Sequence, residues 1–269
     1  MADLLERRAP LHYPELLKRL VGALSFEGPL DLKGSAGLTA QQYPSDFDLF
    51  GAVKRDQLGG LLTGLEAFVR DLPADVWFVE LKAQSTAPVK KLRLTDPADF
   101  SNWVAKTKKM AAASAGQLDF IKIDLIARNA EDGQFSEVSC IYGFSEAPSP
   151  EDYARSLADD IRELSAEGKY YKVLKRQFNL AKAEPASLAR TARLRKLTRF
   201  FNGPAGERYQ LLNRLDAIKQ VIELDPGSEA AARVAVKNLH LPEEALTDLD
   251  AWVVSASKEL NDKAAKLIA

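Results

Sequence analysis

Apolar positions divide the chain into a part of strand-length runs and a part of helical stripes. Between residues 27 and 147 the runs are short, and strands are predicted at residues 29–32, 46–49, 77–82, 89–94, 118–128 and 135–144. In Asp46-Phe47-Asp48-Leu49 the polar and apolar positions alternate. Asp46 and Asp48 therefore share one face of the strand, while Phe47 and Leu49 face the opposite side and a core. Leu118 to Arg128 is more evenly apolar, as a central strand buried on both faces would be. Leu58, Leu61, Leu62, Leu65, Phe68 and Val69 form a helical stripe over residues 56–70, and residues 96–115 predict a second helix. Leu16, Leu17, Leu20, Val21 and Leu24 predict a capping helix within residues 1–26.

Beyond the Pro148-Ser149-Pro150 linker the pattern is helical to residue 266. The predicted helices are 150–166, 168–183, 186–201, 204–223, 229–239 and 242–266, punctuated by Gly168, Pro185, Gly203-Pro204, Pro226-Gly227 and Pro242. The expected organisation is an N-terminal helix (1–26), a sheet domain (27–147) and a helical domain (148–269). The fold class is α+β, a mixed β-sheet with flanking helices followed by a helical domain.

Composition narrows the setting. Of 269 residues, 46% are apolar and 28% charged, an ordinary balance for a soluble globular chain, and the net charge is −1. Affinity for nucleic acid would have to come from a local patch. Residues 169–199 are such a stretch, with ten Lys or Arg against one acid, Glu184. The lone Cys140 excludes an internal disulfide and fits a reducing compartment. No apolar run reaches membrane-spanning length, so an intracellular protein with no membrane partner is expected. His12 and His240 lack partners at zinc-ligand spacing, and the chain carries no P-loop, nucleophile turn or dinucleotide fingerprint.

Two carboxylates on one rigid face are suited to magnesium, which is usually bound by one or two carboxylates together with substrate phosphates. Upstream, Gly34 and Ser35 can cradle a phosphate through backbone N–H groups and a hydroxyl. Asp124 interrupts the apolar strand 118–128, where an acid is costly unless paired or metal-bound, and is the natural third carboxylate. Glu80 and Lys82 share a strand face, most simply a salt-bridged or solvated one, with a direct metal role for Glu80 as the alternative, and Asp119 reads as a strand cap.

Gly34-Ser35, ten residues, then Asp46-Phe47-Asp48-Leu49, resembles the signature of the nucleotidyltransferase (DNA polymerase beta-like) superfamily. Asp124 matches the superfamily's third aspartate. The resemblance implies a nucleotidyltransferase-type sheet and two magnesium or manganese ions, which in such sites stand roughly 3.5 to 4 Å apart. Asp46 and Asp48 would bridge both ions, and Asp124 would hold the one that activates the attacking hydroxyl. It also implies a nucleotide held by a lysine and an aromatic residue of the following helix: Lys172 and Tyr171, with Lys169 and Lys175 as substitutes. Arg190, Arg193, Arg195, Lys196 and Arg199 would contact a primer or RNA backbone.

With Lys169-Tyr170-Tyr171-Lys172 and Phe200 to Tyr209, residues 30–225 are similar to the poly(A) polymerase catalytic subunits of large nucleocytoplasmic DNA viruses. That similarity implies transfer of AMP from ATP to an RNA 3′-hydroxyl, a protein partner subunit, and a location in the host cytoplasm or virion. The alternatives are another acceptor (a protein, a tRNA or a small molecule) and a non-catalytic nucleic-acid-binding protein of the same fold.

Overall fold

A computed structural model describes residues 30–33, 46–85, 92–113, 118–128, 133–144 and 150–268. The helix expected within residues 1–26 and the Gly34-Ser35 turn lie outside the described residues. Strands β1 (Leu30–Lys33), β2 (Asp46–Ala52), β3 (Val76–Ser85), β4 (Leu92–Leu94), β5 (Leu118–Arg128) and β6 (Phe135–Gly143) form one sheet in the order β1-β2-β6-β5-β3-β4. β2 and β6 run parallel; the other neighbouring pairs are antiparallel. This is the expected mixed sheet.

Alternation decides what each face carries. Phe47 and Leu49 of β2 are fully buried with Leu125 of β5 and Val138 and Cys140 of β6. Helices α1 (Leu58–Arg70) and α2 (Phe100–Ala113) cover that face through Leu61, Leu62, Leu65, Trp103 and Met110. Each large side chain buried here contributes about 1.5–3 kcal/mol. Cys140 is part of this core, and burial pushes its thiol far above the ordinary range, so it is chemically inert.

The opposite face carries the polar residues and is closed at one end by later helices. A bulge between Phe78 and Glu80 turns Trp77 and Glu80 onto this same face, opposite Ile126 and Asp124. Ile126 and Phe135 pack with Ala217, Ile218 and Val221 of α6 (Pro204–Leu224) and with Ala232 and Ala235 of α7 (Glu229–Lys237). Trp77 Nε1 donates to Asp225 Oδ2 (3.2 Å), and Gln134 Nε2 to the Ala235 carbonyl (3.2 Å). Residues 213–239 therefore group with the sheet, whereas the sequence places them wholly in the helical domain. The continuous helical pattern of α6 hides the change of partner.

The second compact unit comprises residues 148–212 and 240–269. It contains α3 (Pro150–Ala166), α4 (Tyr170–Ala183), α5 (Leu188–Phe201), the first part of α6, α8 (Glu243–Thr247) and α9 (Leu249–Ile268). α8 and α9 replace the single helix expected over 242–266. Asp248 adopts an extended backbone between them, and its side chain accepts from Ala251 N at 3.0 Å, capping α9 instead of continuing α8. Asn261 of α9 accepts from Tyr171 N (3.2 Å) and donates to the Gly168 carbonyl, tying α9 to the start of α4.

Gly206 permits the tight α5–α6 junction, since a Cβ there would lie 1.7 Å from the Phe201 carbonyl oxygen. Gly206→Ala forces that backbone apart. It should cost at least about 3 kcal/mol, read as a lowered urea midpoint. No described helix is long and apolar enough to cross a membrane.

Candidate active site

The polar sheet face is organised in two rows set by strand register. One row runs Asp48, Ser139, Asp124 and Glu80 across β2, β6, β5 and β3; the next runs Asp46, Glu137, Ile126 and Trp77. Asp46 and Asp48 are half-buried with the buried Phe47 between them, as the alternation predicts. Glu137 stands directly opposite Asp46 on the neighbouring strand. Asp124 is two strands from Asp48, about 10 Å across the sheet by ordinary strand spacing.

Charge is unevenly divided over this face. Asp124, 4% exposed, accepts from Ser139 Oγ and pairs with Lys122 Nζ at 2.8 Å and Lys82 Nζ at 3.5 Å. Glu80, equally buried, pairs with Lys82 and with Arg93 of β4. The salt-bridged reading of Glu80 and Lys82 thus describes what is seen. These three cations stand on β3, β4 and β5, whereas the acids Asp46, Asp48 and Glu137 stand on β2 and β6.

Among these acids the Glu137 carboxyl is the one clearly displaced, chiefly by its burial. Burial, reinforced by Asp124 and opposed by Lys122, with Asp46 and Asp48 adding to the rise, pushes its pKa up to about 7. Loss of solvation likewise lowers the Lys82 pKa, with Asp124 the main opposing influence. A raised carboxyl pKa means that stability from the protonated form is complete below about pH 4.5 and lost as pH rises through 7. Glu137→Gln should match the unsubstituted protein at pH 4 and exceed it at pH 8 by on the order of 3 kcal/mol in denaturant unfolding. Equal stability at pH 8 would show that Glu137 is not strained by its neighbours.

Among the described residues, no group of three His, Cys, Asp or Glu side chains stands in a geometry that could hold a metal ion. The donor chemistry nevertheless fits magnesium or manganese, because Asp46 and Asp48 offer hard carboxylate oxygens on one rigid strand. Magnesium ordinarily takes its remaining ligands from phosphates and water. Asp124, the expected third ligand, has its oxygens turned to the Ser139 hydroxyl and to two lysines. Glu137 and Lys122 are the residues that sequence reasoning missed. The available signal was a charged residue inside an apolar strand, the same signal that singles out Asp124.

In the helical unit the expected nucleotide-binding residues separate. Lys169 Nζ pairs with Glu167 (2.6 Å), and Lys175 Nζ meets the Tyr209 hydroxyl (3.3 Å) and lies over its ring, 5.0 Å from the centroid. Lys172 is exposed. Burial of its stem and then Lys169, Lys175 and Arg176 lower its pKa, which marks an electropositive spot. Tyr171, the residue expected to stack on a base, packs inside the helical unit. It is 7% exposed, its ring stacks on Tyr209 at 4.3 Å, and Phe201 meets its edge. Both helps to hold α4 against α5 and α6 rather than wait for a ligand.

The basic residues of α5 also divide. Arg190 donates to the Ala181 and Lys182 carbonyls (2.8 and 3.0 Å), closing the C-terminus of α4. Arg193 pairs with Glu184 (2.6 Å), and Lys196 donates to the Leu267 carbonyl (3.2 Å). Arg195 and Arg199 remain exposed.

No family model matches the chain, and no curated protein matches it. In fold it is similar to a solved nucleotidyl transferase encoded by a Megaviridae ORFan gene, at a TM-score of 0.63 and 10% identity, over 97% of this chain and 89% of that one. It is similar also to the M. chilensis Mg662 protein complexed with GTP, at a TM-score of 0.66 and 10% identity, over 99% and 92% of the two chains. The chain has a nucleotidyltransferase-type α+β fold.

Proposed function

We propose that the protein is a metal-dependent nucleotidyltransferase that moves a nucleoside monophosphate from an NTP to a hydroxyl acceptor, in its specific form AMP from ATP to an RNA 3′ end. The observation that carries this reading is the pair Asp46 and Asp48 on one face of β2, with Glu137 in register opposite Asp46 on β6. Similarity of fold to a nucleotidyl transferase and to a protein complexed with GTP supports an NTP as donor.

In this reading Asp46 and Asp48 would hold magnesium or manganese, with the remaining ligands supplied by the triphosphate and water, and Glu137 stands beside the pair. The metal, when bound, lowers the pKa of the attacking hydroxyl and neutralises charge on the leaving pyrophosphate. Asp124 anchors Lys122 and Lys82, fixing two ammonium groups on the same sheet face, where they attract phosphate. Gly34 and Ser35 are assigned a phosphate-cradling role, and Lys172, with Lys169 and Lys175, nucleotide phosphate charge. α5 contacts the acceptor's backbone.

Pyrophosphate release from each of the four NTPs, with magnesium or manganese and with or without a short RNA, tests the donor and the acceptor together. Release with ATP that requires RNA is the expected result. RNA-independent release would move the acceptor to another molecule. A nucleotide-binding protein without turnover is the second reading, favoured by the ion pairs that already satisfy Asp124; NTP binding without release in any mixture would select it.

A further inference from the structure

α5 is the most lopsidedly charged element among the described residues: its sequence LARTARLRKLTRFF holds Arg190, Arg193, Arg195, Lys196 and Arg199 and no acid. Three of these cations are spent on the fold, as caps and ion pairs to Ala181, Lys182, Glu184 and Leu267. Arg195 and Arg199 are not: among the described residues no hydrogen bond or ion pair engages either guanidinium.

Those two arginines lie on one stripe with Thr191, Leu194 and Thr198, spaced three, four, seven and eight residues from Thr191. Arg195 and Arg199 turn away from Leu197 and Phe201, which are buried, while Leu194 lies beside them on the helix. The stripe's side chains line a shallow, open groove of about 330 Å³. The groove thus combines two guanidinium groups one helical turn apart, unpaired among the described residues, with two threonines and the apolar side chain of Leu194.

We infer that Arg195 and Arg199, not the basic helix as a whole, form a binding groove for the sugar-phosphate backbone of single-stranded RNA. Adjacent phosphates of a strand can each meet one arginine, because residues four apart on a helix stand about 5–6 Å from one another. A guanidinium fork suits phosphate oxygens, and a threonine hydroxyl can donate a further hydrogen bond. Leu194 offers apolar surface to a ribose. A groove built this way contacts no base edge and reads no sequence. The inference rests on RNA as the acceptor, but it concerns binding alone.

The test uses the full chain carrying Asp46→Ala and Asp48→Ala, so that no turnover intervenes, and a fluorescent single-stranded RNA of mixed sequence. Affinity is measured by anisotropy across a salt series. Adding Arg195→Ala and Arg199→Ala should weaken binding at least about tenfold. It should also flatten the slope of log K against log salt by about 1.4, roughly 0.7 for each phosphate contact on a single strand. Arg193→Ala, which removes an equal charge from the same helix, should leave that slope within 0.3 of its starting value, taken here as about half of one contact. The Arg195→Lys/Arg199→Lys variant should keep the slope and lose part of the affinity.

Unchanged affinity and slope in the double alanine variant, with an unaltered circular dichroism melt, would overturn the inference. So would equal losses from Arg193→Ala, which would mean only that total charge matters. Binding of an acidic peptide in preference to RNA would replace it with a protein-docking surface. A chain that binds RNA through this groove yet transfers nothing would overturn the proposed activity and leave the groove standing.

Discussion

Asp48→Ala, or Asp46→Ala, should lower nucleotidyl transfer by roughly 10³-fold or more, a loss of about 4 kcal/mol of transition-state stabilisation. Each removes one of two carboxylates held in parallel by the alternation of β2, whose opposite face is locked by fully buried Phe47 and Leu49. The geometry of the pair is set by the core, so the remaining acid has little freedom to compensate. Stability should move the other way. Each removed acid relieves repulsion against Glu137, whose carboxyl is pushed up in part by both of them. For Asp48→Ala an inactive variant that melts at or above the temperature of the unsubstituted protein is therefore expected. A variant that loses activity and ten degrees of thermal stability together would point to a structural role.

Asp124→Ala should behave differently. It leaves Lys122 and Lys82 side by side without the carboxylate both now share, and Ser139 without its acceptor. Breaking a largely buried ion pair in this way costs on the order of 3 kcal/mol, which for a unit of this size lowers the melting temperature by roughly 10 °C. Adding Lys122→Met should recover part of the loss, because the orphaned charge goes with it. If Asp124→Ala instead abolished metal-dependent stabilisation while leaving the melting temperature of the metal-free protein unchanged, Asp124 would be a metal ligand, as its place in the sequence suggested.

The contrast between these two acids shows what was legible in the chain. Asp46 and Asp48 could be placed because their relation is local: two residues on a strand share a face whatever the rest of the fold does. The strand carrying Asp124 was equally plain. Its partners were not, since Lys82 reaches it only through the antiparallel register of β3 and β5, and Ser139 only through that of β5 and β6. Glu137 is opposite Asp46 because β6 inserts between β2 and β5, a fact of sheet order that no window of sequence contains.

The helical unit gives the same lesson at a different scale. Charge composition singled out α4 and α5, but composition cannot distinguish an arginine that caps a neighbouring helix from one that faces solvent. Arg190 and Arg195 look alike in sequence and differ entirely in contacts. Tyr171 sits among lysines and suggests an exposed ring, yet helical spacing turns it inward onto Tyr209 and Phe201. Asp248 reads as an ordinary helix residue until its side chain is seen capping α9.

The most direct test of the account is incubation of the purified chain with a short RNA, magnesium or manganese, and each labelled NTP in turn, beside the Asp46→Ala/Asp48→Ala variant. Metal-dependent extension of the RNA, strongest with ATP and absent from the variant, is the expected result. NTP binding by a folded protein with no extension under any of these conditions, or extension that survives in the variant, would contradict it.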